Sequence, residues 1–150
     1  MKILFICTAN ICRSALAEVI LRKKLQEHGL TTIEVASAGV RDLEGTPRDT
    51  TMSTLAQKAG YEMGGKALYL TLEMAESADM IICMENFHKY ELYHRFKPYI
   101  HWERIHRFNE ICFGEQSDLA DPSGDTEDMY RLALKRIEQG CEILVRQLSR

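Results

Sequence analysis

The spacing of apolar positions changes several times along the chain, and each change marks an element. Lys2 to Ile6 is a short β-branched and apolar run, read as a strand, with polar punctuation after it. From Ser14 the spacing turns helical. Leu16, Val19 and Ile20 fall on one stripe, with Ala17, Leu21 and Leu25 beside it and Gly29 as the stop. Thr32 to Ala36 reads as a second strand, and Ser37-Ala38-Gly39 leads into a loop rich in glycine and charge. Thr46-Pro47-Arg48-Asp49 combines a capping threonine, a proline at the first helical position and an acid three residues after the cap. It predicts a helix through Met52, Leu55, Ala56 and Ala59 that closes at Gly60.

The second half follows the same logic. A short helix over Thr71 to Ser77 precedes Asp79 to Met84, whose unbroken apolar run suits a strand buried on both faces. Asn86 to Phe96 is helical and ends before Pro98, Ile100 to Phe108 alternates weakly as an edge strand, and a polar loop runs through Ser117, Asp121 and Pro122. Met129, Leu132, Ala133, Ile137, Cys141, Leu144, Val145 and Leu148 then recur at helical steps, with Asp125, Glu127 and Asp128 at the first turn. Strands alternating with helices predict an α/β fold of three layers (α/β/α), with a central, mostly parallel sheet of about four strands and one domain over residues 1–150.

Composition narrows the function. With 19 Lys plus Arg against 22 Asp plus Glu, the net charge of −3 offers no bulk positive field for a nucleic acid or an anionic membrane. The first apolar run, Ile3 to Cys7, is too short for a signal-peptide core or a membrane span, so a cytoplasmic location is expected. Five cysteines, an odd number in a chain large enough to bury its own core, argue against a disulfide scaffold. His88, His94, His101 and His106 lack metal-ligand spacing, and neither a metal nor another cofactor is expected.

In open α/β sheets ligands gather beyond the carboxyl ends of strands, which draws attention to the turn Cys7-Thr8-Ala9-Asn10-Ile11-Cys12-Arg13-Ser14. A loop that runs from a strand into a helix N-terminus aims backbone N–H groups at an anion, and phosphate is the natural occupant. The same groups favour a thiolate at Cys7, and Arg13 can grip two phosphate oxygens. The spacing alone is weak evidence: at about 6% of positions for one charged type, five cysteines find such an arginine by chance in about 30% of chains. Its place between strand and helix, and the hydroxyl residue after Arg13, sharpen it. The bland alternative makes Cys7 a buried apolar residue and Arg13 a surface charge.

At these residues the sequence resembles the low-molecular-weight protein tyrosine phosphatases, whose loop reads Cys-x-Gly-Asn-x-Cys-Arg-Ser-Pro. Cys7, Asn10, Cys12, Arg13 and Ser14 match, whereas Ala9 replaces the glycine and Ala15 the proline. Ser37-Ala38-Gly39, the Asp79 to Glu85 strand and Asp121-Pro122 match in order, so the resemblance covers essentially the whole chain. It implies Cys7 as nucleophile, Arg13 and the N–H groups of Thr8, Ala9, Asn10, Ile11 and Cys12 as the phosphate cradle, and Asp121 as general acid and then base. Pro122 restricts the backbone of Asp121 and so helps aim it. Ser14 would bond the thiolate, Asn10 would tie the loop to Ser37 from a left-handed conformation, and Cys12 would pair reversibly with Cys7 on oxidation.

Ala9 must avoid positive φ or accept strain, and no histidine occurs in Gly64-Gly65-Lys66-Ala67, where the family often has one behind the asparagine. Ser123 stands where an aromatic usually walls the phenol slot. Leu43 resembles a bacterial branch that acts on tyrosine kinases of polysaccharide export, so the implied partner is a phosphotyrosine protein such as a bacterial tyrosine kinase, met by a monomer. Ile11 points to phosphotyrosine, because the related protein-arginine phosphatases carry threonine there. Two other classes are weighed: an arsenate reductase on this scaffold, which needs further cysteines absent from Met84 to Tyr90, and a non-catalytic phosphotyrosine-binding module, which would need neither thiol nor acid.

Overall fold

The computed structural model describes residues 1–150. β1 (Lys2–Cys7) leads through α1 (Arg13–Glu27) to β2 (Glu34–Gly39), then α2 (Thr50–Lys58) and α3 (Leu72–Ser77). β3 (Met80–Cys83), α4 (Asn86–Phe96), β4 (Ile105–Arg107), α5 (Phe108–Phe113) and α6 (Glu127–Leu148) complete the chain. The sheet order is β2-β1-β3-β4 and every pairing is parallel. β1 is therefore central, and alternate residues face opposite layers. Ile3, Phe5 and Cys7 join the core with Leu16, Ile20, Ile137 and Leu144, while Leu4 and Ile6 join Leu70, Ile81, Leu92 and Phe96. Burial on both faces is why β1 and β3 read as continuous apolar runs. After β2 the chain crosses β1 to build β3, so the strand order reverses beside the end of β1, where a ligand crevice belongs.

Local expectations were shifted by tertiary pairing at four places. β2 begins at Glu34 and continues through the small residues Ala36 to Gly39, because these pair in register with Leu4 to Cys7. Thr46 does not cap α2; Asp49 does, its Oδ1 accepting from Met52 N–H at 2.9 Å. The preceding residues stay extended, with Pro47 bridged to Lys66 and Asp49 N–H donating to Ile11 O at 2.8 Å. The edge strand shrinks to Ile105–Arg107, and part of the expected polar loop is α5, which buries Phe108 and Cys112 against α6 and stops at Gly114 with φ 69°.

Candidate active site

The turn after β1 wraps around one sulfur. Cys7 Sγ lies 2.9 Å from Ser14 Oγ and accepts the Asn10 N–H at 3.3 Å. No side chain caps α1, and the N–H groups of Ile11, Cys12, Arg13 and Ser14 find no acceptor within the protein. Such a ring of donors at a helix N-terminus is an anion site by construction. Gly39 allows it to close: a Cβ there would stand 2.8 Å from Ala9 C and Thr8 O. Ala9 keeps negative φ, and the strain falls on Asn10, the single non-glycine residue with positive φ, at 60°.

Asn10 is without exposed surface and anchors the loop from behind. Its Nδ2 donates to Ser14 Oγ at 2.8 Å and Ser37 Oγ at 2.9 Å, while Oδ1 accepts from Leu68 N at 2.9 Å and Arg48 Nη1 at 3.0 Å. Arg48 also donates to the Asn10 carbonyl. Arg48 and the Leu68 backbone thus supply the support for which the sequence lacks a histidine.

Arg13 is 1% exposed, held by Nη1 to Leu119 O at 2.6 Å and by Nη2 to Glu85 Oε2 at 2.7 Å. A buried guanidinium fixed from one side has its fork aimed before any ligand arrives. His88, which the sequence singles out only as lacking metal-ligand spacing, is fully buried. It accepts Glu85 N–H at Nδ1 (3.0 Å), and its Nε2 lies 2.9 Å from Thr8 Oγ1, which assigns the proton to Nε2. Burial, and the Arg13 charge next, push its pKa down to about 3, so the ring is neutral. Glu85, His88, Arg48 and Leu119 escaped sequence reasoning. The one legible signal was Glu85-x-x-His88 opening a helix, which reads as a cap.

Asp121 stands on the rim, 45% of its side chain exposed. Oδ1 accepts the Ser123 N–H at 3.0 Å and Oδ2 lies 3.7 Å from Arg13 Nη2. Pro122 beside it is buried. Together the loop from Cys7 to Arg13, Asp121 and Ser123 enclose a cavity of about 120 Å3 with no aromatic lining residue. A larger hollow of about 270 Å3 on the far side of Leu119 and Pro122 is mostly apolar and reaches none of the loop. Cys12 also lines the small cavity, and burial first, then the Asp49 charge, raise its thiol pKa well above the ordinary value. All five cysteines are free, and no helix is long and apolar enough to cross a membrane.

A thiol inside a ring of donors, a pre-aimed arginine and a carboxylate on the rim make an arrangement suited to binding a phosphate group and attacking it. A sequence model of the low molecular weight phosphotyrosine protein phosphatases matches residues 2–150, and the chain belongs to that family, whose protein-tyrosine-phosphatases are hydrolases of phosphoric monoesters. The low molecular weight protein-tyrosine-phosphatase Etp of Escherichia coli K12 is 33% identical over 99% of this chain and 95% of its own length. A protein-arginine-phosphatase of Bacillus subtilis strain 168 is 30% identical, with 100% and 98% covered. Among solved structures, a mutant of the YwlE arginine phosphatase with a phosphorylated active-site serine superposes at a TM-score of 0.94 and 27% identity, covering 100% of this chain and 97% of that one.

Proposed function

We propose that the protein removes phosphate from phosphotyrosine in protein substrates through a phosphocysteine intermediate. The observation that carries this reading is Cys7 Sγ at the floor of a donor-lined loop, with the buried Arg13 and Asp121 3.7 Å apart beside it. Cys7 attacks phosphorus in line, the bond to the phenolic oxygen breaks, and Asp121 gives that oxygen its proton. Arg13 and the loop N–H groups bind the equatorial oxygens throughout. Asp121 then takes a proton from water as it attacks the phosphocysteine. The S–P bond breaks, inorganic phosphate departs, and Ser14 Oγ, 2.9 Å away, donates to the returning thiolate. The phosphorylated active-site serine of the YwlE mutant supports covalent transfer to this position.

Ile11 in the cavity wall favours the aryl ester. The absence of an aromatic lining residue, together with the likeness to arginine phosphatases, favours a second reading in which phosphoarginine is the substrate. The 150 residues act here as one phosphatase domain, a monomer in the cytoplasm, where five free thiols suit a reducing compartment. Its partner is a tyrosine-phosphorylated protein such as a bacterial tyrosine kinase.

The test is hydrolysis of phosphotyrosine, phosphoserine and phosphoarginine peptides side by side, without metal, by wild type and Cys7→Ser. Cys7-dependent release from phosphotyrosine alone is expected. Preference for phosphoarginine selects the second reading, and bound phosphopeptide with no release from any substrate would make the protein a binding module.

A further inference from the structure

The loop that carries Asp121 is held lightly. Leu119 N–H is fixed to Met84 O at 2.9 Å, and α6 begins at Glu127. Between them, the bonds from Ser123 N to Asp121 Oδ1, Asp125 N to Pro122 O and Thr126 N to Asp125 Oδ1 all lie inside the loop. They shape the turn without deciding where it sits over Cys7. Pro122 supplies buried apolar contact, which is non-directional.

Apart from the bonds by which Thr126 caps α6, a single backbone hydrogen bond leaves the turn, from Gly124 N to Tyr130 Oη at 3.2 Å. Gly124 has φ 78°, a backbone conformation that residues with a side chain rarely adopt. Tyr130 is 5% exposed, and its hydroxyl donates to Asp49 Oδ2 at 2.8 Å. Asp49 is itself tied to the phosphate loop, its N–H donating to Ile11 O at 2.8 Å while Oδ1 caps α2. Burial, and the hydrogen bond to Asp49, raise the pKa of the phenol, so the hydroxyl stays protonated and donates. Beside the 3.7 Å approach of Asp121 Oδ2 to Arg13 Nη2, one hydroxyl therefore joins the backbone of the acid loop to the cradle, across elements remote in sequence.

Building on the reading of Asp121 as general acid, we propose that Tyr130, oriented by Asp49, is a positioning residue that sets the acid loop over Cys7 so that Asp121 can reach the departing oxygen. Cys7, Arg13 and the loop donors do not depend on it. Loss of the hydroxyl should therefore spare anion binding and attack while weakening proton delivery, and the loss should grow with the basicity of the leaving oxygen. Phenylalanine fills the same volume, and Asp49 is only partly buried, so water can satisfy it and the fold survives.

The experiment measures kcat/KM on aryl phosphates running from dinitrophenyl to unsubstituted phenyl phosphate, with vanadate inhibition alongside. The proteins are wild type, Asp121→Ala, Tyr130→Phe, Asp49→Asn and the Tyr130→Phe/Asp49→Asn double variant. Tyr130→Phe should lower kcat/KM on phenyl phosphate about tenfold, short of the full general-acid contribution of about 100-fold or more, and change the dinitrophenyl ester by less than about twofold. Vanadate affinity should be unchanged. Asp49→Asn keeps the cap and should show the same trend, and the double variant should lose no more than Tyr130→Phe alone. Uniform loss across the series, no loss on phenyl phosphate, or additive losses would overturn the proposal, provided Asp121→Ala shows the leaving-group effect. If Asp121→Ala shows none, the general-acid reading itself fails.

Discussion

Replacing Asn10 separates two costs that the structure stacks on one residue. Alanine removes four hydrogen bonds, to Ser14, Ser37, Leu68 and Arg48. Three partners keep another bond: Ser14 to Cys7, Ser37 to Glu18 and Arg48 to the backbone carbonyl of residue 10. Leu68 N–H keeps none. One orphaned donor at about 2 kcal/mol and three lost bonds at about 1 kcal/mol each bring the loss to about 5 kcal/mol. The second cost is conformational. At φ 60° a residue with a Cβ is strained, so Asn10→Gly should be less destabilised than Asn10→Ala by about 1 kcal/mol, although both lose the same bonds. A domain of this size has about 5–15 kcal/mol in total, so the alanine variant stands near the limit of folding. Urea unfolding followed by circular dichroism, with vanadate binding on whatever remains folded, measures both. Equal losses in the two variants would remove strain from the argument, and losses below about 1 kcal/mol in both would refute Asn10 as the anchor of the loop.

Other residues make separate predictions. His88 has its pKa lowered to about 3 from 6.5 by burial and Arg13, so the unfolded chain binds a proton that the native state refuses. Its stabilisation is complete above about pH 6.5 and is lost as pH falls toward about 3, by up to about 1.4 kcal/mol per pH unit. The pH slope of urea midpoints should therefore be shallower in His88→Gln; identical slopes would mean that His88 is charged when folded. Arg13→Lys cannot keep Leu119 O, Glu85 and a two-oxygen grip together, and kcat/KM should fall about a hundredfold or more, whereas near-normal turnover contradicts the grip. In Gly140→Ala a Cβ would meet Phe108 Cζ at 2.3 Å. Overpacking of about 1–3 kcal/mol should exceed the gain of about 1 kcal/mol in helix propensity, and a melting temperature above wild type would show that Phe108 swings aside freely.

Much of the architecture was legible because it is written in local period. The run Lys2 to Ile6, the stripe after Ser14 and the long pattern from Met129 to Leu148 each reported which face would be buried, and the order of strands and helices then required a layered parallel sheet. The loop from Cys7 to Ser14 was legible too, since nucleophile, arginine and donors lie within one turn of chain. β2 could not be bounded from its own residues, because Ala36 to Gly39 are extended only through their pairing with β1. α5 was hidden between a weak strand pattern and the polar loop that follows, although Phe108, Ile111, Cys112 and Phe113 are apolar, because Phe108 and Cys112 acquire their meaning from Gly140 in α6.

Apart from the bonds of Asn10 to Ser37 and of Ser14 to Cys7, the supports of the site lie on the tertiary side. Thr8 meets His88 across 80 positions, Arg13 meets Leu119 across 106, and Tyr130 meets Asp49 across 81. Such bonds leave no periodicity, because a side-chain donor finds its acceptor only after the helices that carry both have been packed. Sequence alone therefore determined which atoms can do chemistry here, through residue type and short spacing. Packing decided where those atoms are held, because hydrogen bonds depend on direction over a few tenths of an ångström, whereas the burial pattern that a sequence records is non-directional.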